Sequence, residues 1–222
     1  MCVGAGGAAL TNAALRADFL VPSLKLWFQL GSGEEPTRVR CELSVERSPS
    51  CRSGAALLLN GDELELEAVR VDGVALTAAQ YTISPGVNAT CNMSLPAEAL
   101  PAAAEFIVET EVVIRPHANT QHLGLYLSHG TLATMCEAEG FRRIAYHIDR
   151  PDIMCVYEVY LEGDQAEYPV LLSNGNQLEA GTLPNGRHFT RWLDPFPKPC
   201  YLFALIVSRR DIAGIWVAFF QE

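Results

Sequence analysis

Apolar and polar residues alternate with period two along much of this 222-residue chain, and this restricts the fold most, because the pattern suits strands with one buried and one wet face. Leu24, Leu26, Phe28 and Leu30 fall on one side of such a strand, as do Val39, Cys41, Leu43 and Val45, and then Leu64 and Leu66. The clearest run is Phe106, Val108, Thr110, Val112 and Ile114, with Glu105, Glu109 and Glu111 opposite, as expected of an antiparallel strand solvated on one side. Further strands are expected over 156–161, 169–172, 188–193 and 200–207, the last two separated by the proline-rich stretch 194–199. Asn60-Gly61-Asp62, Asp72-Gly73, His129-Gly130 and Asn174-Gly175-Asn176 tolerate positive φ, so tight hairpins are expected at each. One short helical turn is expected near Asp149-Arg150-Pro151-Asp152, where aspartate can cap free amides and proline suits an early helical position. The reading is an all-β chain in one continuous domain, with 97–104 as a loop.

With 49% apolar residues the chain can build a substantial core. Its net charge of −10 and isoelectric point near 5.0 repel a phosphate backbone or an anionic bilayer, which argues against nucleic-acid and membrane partners. A cationic group, such as the free amino end of a peptide, suits this balance better. The seven cysteines form no C-x-x-C pair and are spread as small apolar strand residues would be, which predicts reduced thiols. The first fifteen residues lack the positive start of a secretory signal, and no run reaches the roughly eighteen apolar residues of a membrane span. The expected location is the cytoplasm. Asn88-Ala89-Thr90 and Asn92-Met93-Ser94 fit the glycosylation triplet, a pattern too common by chance to carry weight.

Most candidate chemistry fails on spacing. His117 and His122 lie five apart, on different faces of either a helix or a strand, and there is no H-E-x-x-H motif. Ser173 sits in Leu172-Ser173-Asn174-Gly175-Asn176, which reads as a hairpin rather than a G-x-S-x-G elbow. Gly4-Ala5-Gly6-Gly7 has no strand before it and no βαβ unit after it, so it reads as part of a flexible tail over 1–16. Trp27 and Trp192 fall in expected strands and read as packing residues. Cys136, beside Glu137 and near Arg142, invites the idea of a lowered thiol pKa, although no histidine is identifiable as its partner.

The densest cluster of charge is Cys136-Glu137-Ala138-Glu139-Gly140-Phe141-Arg142-Arg143, followed by Asp149-Arg150-Pro151-Asp152. Carboxylates and guanidiniums so close together must be solvated, paired or functional, since burying them unpaired costs several kcal/mol each. If the chain turns at Gly140, one glutamate can face a cleft while the other pairs with Arg142 or Arg143. A solvated acidic loop fits the same residues.

That cluster, with Asn119-Thr120-Gln121, Gly124-Leu125-Tyr126, Tyr168-Pro169-Val170-Leu171-Leu172-Ser173-Asn174-Gly175-Asn176, Asn185-Gly186-Arg187-His188 and Asp194-Pro195-Phe196-Pro197-Lys198-Pro199-Cys200-Tyr201-Leu202-Phe203, closely resembles the aminopeptidase N family of gluzincin zinc aminopeptidases. The likeness runs in order over about residues 17–207. It implies a saddle-shaped, mainly antiparallel β-sandwich, the amino-terminal domain that packs against a thermolysin-like catalytic domain. It also implies that Glu137 binds the free amino group of a peptide substrate. Two residues earlier the family carries a glutamine against the first substrate side chain; here that position is Met135.

The family's G-A-M-E-N and H-E-x-x-H motifs are absent from this sequence, so no zinc ligand or catalytic residue is assigned. Zinc belongs to the full-length family enzyme, and the chain alone is expected to be inactive. Residues 208–222 diverge from the family pattern and read as a separate tail, which raises the expectation of a shortened product or an incomplete gene model. The cytoplasm, or a plastid, is the compartment this family implies. A non-catalytic β interaction module and a cysteine enzyme built on Cys136 are the rival readings.

Overall fold

The computed structural model describes residues 17–85 and 91–208. Strands take up 54% of the described residues and helix 8%, with no helix as long as seven residues, so the all-β reading holds. In chain order the strands are β1 (Phe19–Gln29), β2 (Thr37–Arg47), β3 (Leu57–Leu59), β4 (Glu65–Val71), β5 (Val74–Ala75), β6 (Thr82–Pro85), β7 (Cys91–Leu95) and β8 (Glu105–Ile114). They continue with β9 (Gly124–Ser128), β10 (Thr131–Met135), β11 (Cys155–Asp164), β12 (Val170–Ser173), β13 (Asn176–Thr182), β14 (Arg187–Lys198) and β15 (Leu205–Ser208). Among the described residues they form an eight-stranded sheet in the order β13-β14-β11-β1-β2-β8-β4-β5, a four-stranded sheet β12-β15-β10-β9 and a three-stranded sheet β3-β7-β6.

Register turns the period-two pattern into a core. Trp192, Val159, Leu26, Cys41, Thr110 and Val69 face one another in succession across β14, β11, β1, β2, β8 and β4. All six are buried. Because successive side chains point to opposite faces, fixing this row also buries Leu24, Phe28, Val39, Leu43, Val108 and Val112. One continuous core also takes Leu57, Leu59 and Met93 from the three-stranded sheet and Leu125, Leu132, Leu171 and Leu205 from the four-stranded one. The opposite face of the large sheet is charged: Lys25 pairs with Glu42 at 3.0 Å, Arg40 with Glu109 at 3.5 Å, and Arg70 with both Glu109 and Glu111. Such exposed pairs contribute about 0–1 kcal/mol each, so they mark the wet side rather than hold the sheet together.

Several local expectations are corrected. Asp72-Gly73 and His129-Gly130 do close two-residue hairpins, with φ of 48° and 78° in the first and 50° and 81° in the second. Asn174-Gly175 does not, because β12 pairs with β15 while β13 pairs with β14; the positive φ there serves a crossing between sheets. Asn60-Gly61-Asp62 likewise joins β3 and β4, which belong to different sheets. The proline-rich stretch is the end of β14, where Pro195 and Pro197 lie past the last β13 partner, Leu193, and within a register shift against β11. Cys200–Leu202 is a 3-10 turn rather than strand. Asp149–Asp152 is an irregular turn, and the helical turn nearby is Phe141–Arg143. The glycine-rich start and nearly all of the divergent tail lie outside the described residues.

Candidate functional site

Met135 ends β10, which lies between β15 and β9 in the four-stranded sheet, and the 3-10 turn Phe141–Arg143 follows a few residues later. Between them the chain reverses over Cys136–Gly140. The Gly140 N–H donates to the Cys136 carbonyl at 2.8 Å, and the Glu137–Ala138 peptide is cis. A Cβ at Gly140 would run into the Met135 carbonyl and stand 3.0 Å from the Cys136 Cα, so only glycine closes the turn this tightly. Phe141 anchors the far side: it is fully buried, with its ring 5.4 Å from that of Phe203 and edge-on to it.

This framework separates the two glutamates. Glu139 reaches back to Arg142 at 3.2 Å, the pairing the sequence allowed for one of the two. Glu137 is exposed and makes no ion pair or hydrogen bond among the described residues. Met135, two residues earlier, is 44% exposed.

The two arginines are held from beneath. Arg142 donates from Nε to Asp149 Oδ2 at 2.8 Å and from its backbone N–H to the same oxygen at 3.2 Å. Arg143 donates to Asp62 Oδ2 at 2.7 Å and to Gln121 Oε1 at 3.0 Å, and it also pairs with Glu63. Both guanidiniums and Asp149 are largely withdrawn from water, where forked, charge-assisted bonds are strongest. In the sequence Asp149 reads as a helix start, Asp62 as part of a turn, and Glu63 carries no signal. Gln121 carried only the family resemblance. Nothing local announces that these three converge on one arginine.

Below the loop lies a buried set of Cys136, His147, Asp149, Cys155 and Cys200. The Cys200 thiol donates to Asp149 Oδ1 at 2.9 Å, and Cys155 Sγ lies 3.8 Å from His147 Nε2. Burial, reinforced by Asp149, pushes the Cys136 thiol far above its ordinary pKa, the reverse of the lowered value its charged neighbours suggested. Burial pushes Cys155 up to about 12 and holds His147 down to about 4, with Asp149 opposing the shift of His147 only in part. The three thiols and the His147 imidazole are packed, neutral groups, not nucleophiles.

The remaining candidates resolve into structure. Ser173 is fully buried and donates to the Ala204 carbonyl at 3.1 Å. Trp27 carries the Arg40 guanidinium 3.8 Å above its ring, and Trp192 is buried with its N–H on Thr190 Oγ1 at 2.9 Å. No three His, Cys, Asp or Glu side chains among the described residues are arranged to hold a metal ion, so the residues present do not fit the zinc that the family resemblance implies. No helix among the described residues is long and apolar enough to cross a membrane.

The all-β topology and the sequence together match a known class of domain. The sequence profile of the Peptidase M1 N-terminal domain matches residues 57–202, and the chain belongs to that family. It is 44% identical over 194 residues to aminopeptidase N of Caulobacter vibrioides, covering 87% of this chain, and 42% identical over 195 residues to that of Escherichia coli, covering 88%. In both cases it spans 21% of the relative's length. Among solved structures it resembles Legionella pneumophila aminopeptidase A in complex with aspartic acid, with a TM-score of 0.78 and 30% identity over 87% of this chain and 22% of that one. An M1 zinc metallopeptidase of Deinococcus radiodurans bound to the substrate Tyr-Ser-Ala shares the fold, with a TM-score of 0.69 at 16% identity over 86% of this chain and 42% of that one.

Proposed function

We propose that this chain is the amino-terminal domain of a zinc metallo-aminopeptidase and contributes recognition of the peptide's free amino end through Glu137. The observation that carries this reading is the contrast between the two loop glutamates: Glu139 pairs with Arg142, whereas Glu137 stands exposed with no partner among the described residues, on a loop held by Gly140 and Phe141. A carboxylate held this way selects an α-ammonium, whose pKa is about 8, by a charge-assisted hydrogen bond and so fixes the first peptide bond at a set distance. Met135 then meets the first substrate side chain with an apolar, adaptable surface. The partners are a peptide amino end and a catalytic domain that supplies the zinc; nucleic acid and membrane are not partners. The setting is the cytoplasm or a plastid, in peptide catabolism.

In this reading the catalytic domain holds the zinc, so the chain alone is inactive. The test is a hybrid in which residues 17–207 replace the aligned segment of the Caulobacter vibrioides aminopeptidase N. The 222-residue chain should not hydrolyse alanine para-nitroanilide, whereas the hybrid should. Turnover by the chain alone, or a folded hybrid without turnover, contradicts the reading.

A further inference from the structure

We propose that Asp149 is a positioning residue for Glu137: by holding the Arg142 guanidinium it keeps that cation from neutralising the Glu137 carboxylate, which stays available to a substrate ammonium. This rests on the amine-anchor reading above. Arg142 lies five residues from Glu137 in the same loop region, so it is the cation nearest in sequence that could compete for that carboxylate. Here each guanidinium nitrogen is engaged elsewhere. Nε donates to Asp149 Oδ2 at 2.8 Å, one terminal nitrogen donates to the Asp149 carbonyl at 3.3 Å, and the other lies 3.2 Å from Glu139.

Asp149 is itself immobilised. Its second carboxylate oxygen accepts the Cys200 thiol at 2.9 Å, and its backbone N–H donates to Asn60 Oδ1 at 3.1 Å. It is 3% exposed, so its charge is poorly screened and its hold on Arg142 is strong. The neighbouring Arg143 is occupied by Asp62, Glu63 and Gln121. Both cations that follow the loop are therefore engaged with partners other than Glu137.

The test uses the hybrid enzyme. Asp149→Asn keeps the shape and one acceptor but removes the charge that holds Arg142 back. KM for alanine para-nitroanilide, measured on the folded fraction, should rise about tenfold while kcat stays within about threefold, as expected when ground-state binding is what is lost. Adding Arg142→Gln to Asp149→Asn removes the competing cation and should bring KM back; a role in stability alone predicts no recovery. In a Glu137→Gln background, Asp149→Asn should change KM no further. Should Asp149→Asn not fold, Arg142→Lys keeps the cation without the forked grip and should also raise KM.

Unchanged KM in the Asp149→Asn or Arg142→Lys hybrid, no recovery in the double substitution, or an undiminished effect in the Glu137→Gln background each overturns the proposal. If Glu137→Gln itself leaves KM unaltered, the amine-anchor reading fails. If Glu137→Gln raises KM and Asp149→Asn does not, only the role of Asp149 fails.

Discussion

Gly124 packs so closely on Arg143 that a Cβ added to it would stand 2.7 Å from the Arg143 Cβ, and its φ of 72° already lies where other residues are strained. The contact joins the start of β9 to the turn that follows the Glu137 loop. Gly124→Ala should therefore destabilise the fold by roughly 2–4 kcal/mol, the sum of overpacking and positive-φ strain. Gly73, with φ of 78° and open space around it, isolates the second cause, and Gly73→Ala should cost only about 1 kcal/mol. Urea unfolding of the two variants measures the difference; equal costs would mean that the Arg143 contact yields freely.

Phe141 is fully buried against Phe203, with His147 and Tyr157 also edge-on to its ring. Phe141→Ala should lower stability by about 3–5 kcal/mol through lost burial and a residual cavity. Denaturant midpoints at unchanged slope give the value, and a loss below about 1 kcal/mol would mean that the loop is not anchored there.

His147 gives the fold an acid limit. Burial lowers its pKa to about 4, below the ordinary value of 6.5, so the unfolded chain binds the proton more readily between those values. Its neutral form stabilises the fold fully above pH 6.5, and this contribution fades as pH falls towards 4, reaching a loss of up to about 3 kcal/mol. Unfolding free energies across that window should slope downward with acidity, and His147→Gln should flatten the slope. An unchanged slope in that variant would contradict the assignment.

Cys136, Cys155 and Cys200 are buried, and burial raises all three thiol pKa values. At neutral pH iodoacetamide should leave them unmodified in the folded protein, while the half-buried Cys51 reacts. Peptide mapping by mass spectrometry decides this. Rapid labelling of Cys136 would revive the idea of a cysteine nucleophile.

The buried face of the large sheet was legible in the sequence because period two is enforced by burial: every residue of the 106–114 run expected inside is inside. Pairing was less legible. β1 lies parallel to β11, with Leu26 beside Val159, and no local signal links residues so far apart in the chain. Asn174-Gly175 misled because a left-handed turn serves a sheet crossing as well as a hairpin. The Phe141–Arg143 turn escaped notice because it starts at Gly140 with no capping side chain. At the site, the split between Glu137 and Glu139 followed from a turn at Gly140. The partners that hold the neighbouring Arg143, namely Asp62, Glu63 and Gln121, come from distant segments and are fixed only by the fold.

In the proposed function Glu137, and not Glu139, holds the substrate's amino end. Steady-state kinetics of the hybrid enzyme on alanine para-nitroanilide tests it most directly. Loss of a charge-assisted hydrogen bond worth about 1.5–3 kcal/mol predicts that Glu137→Gln raises KM about tenfold or more, with Glu139→Gln changing it less than about threefold. An unaltered KM in Glu137→Gln, or an equal rise in Glu139→Gln, would rule out that role for Glu137.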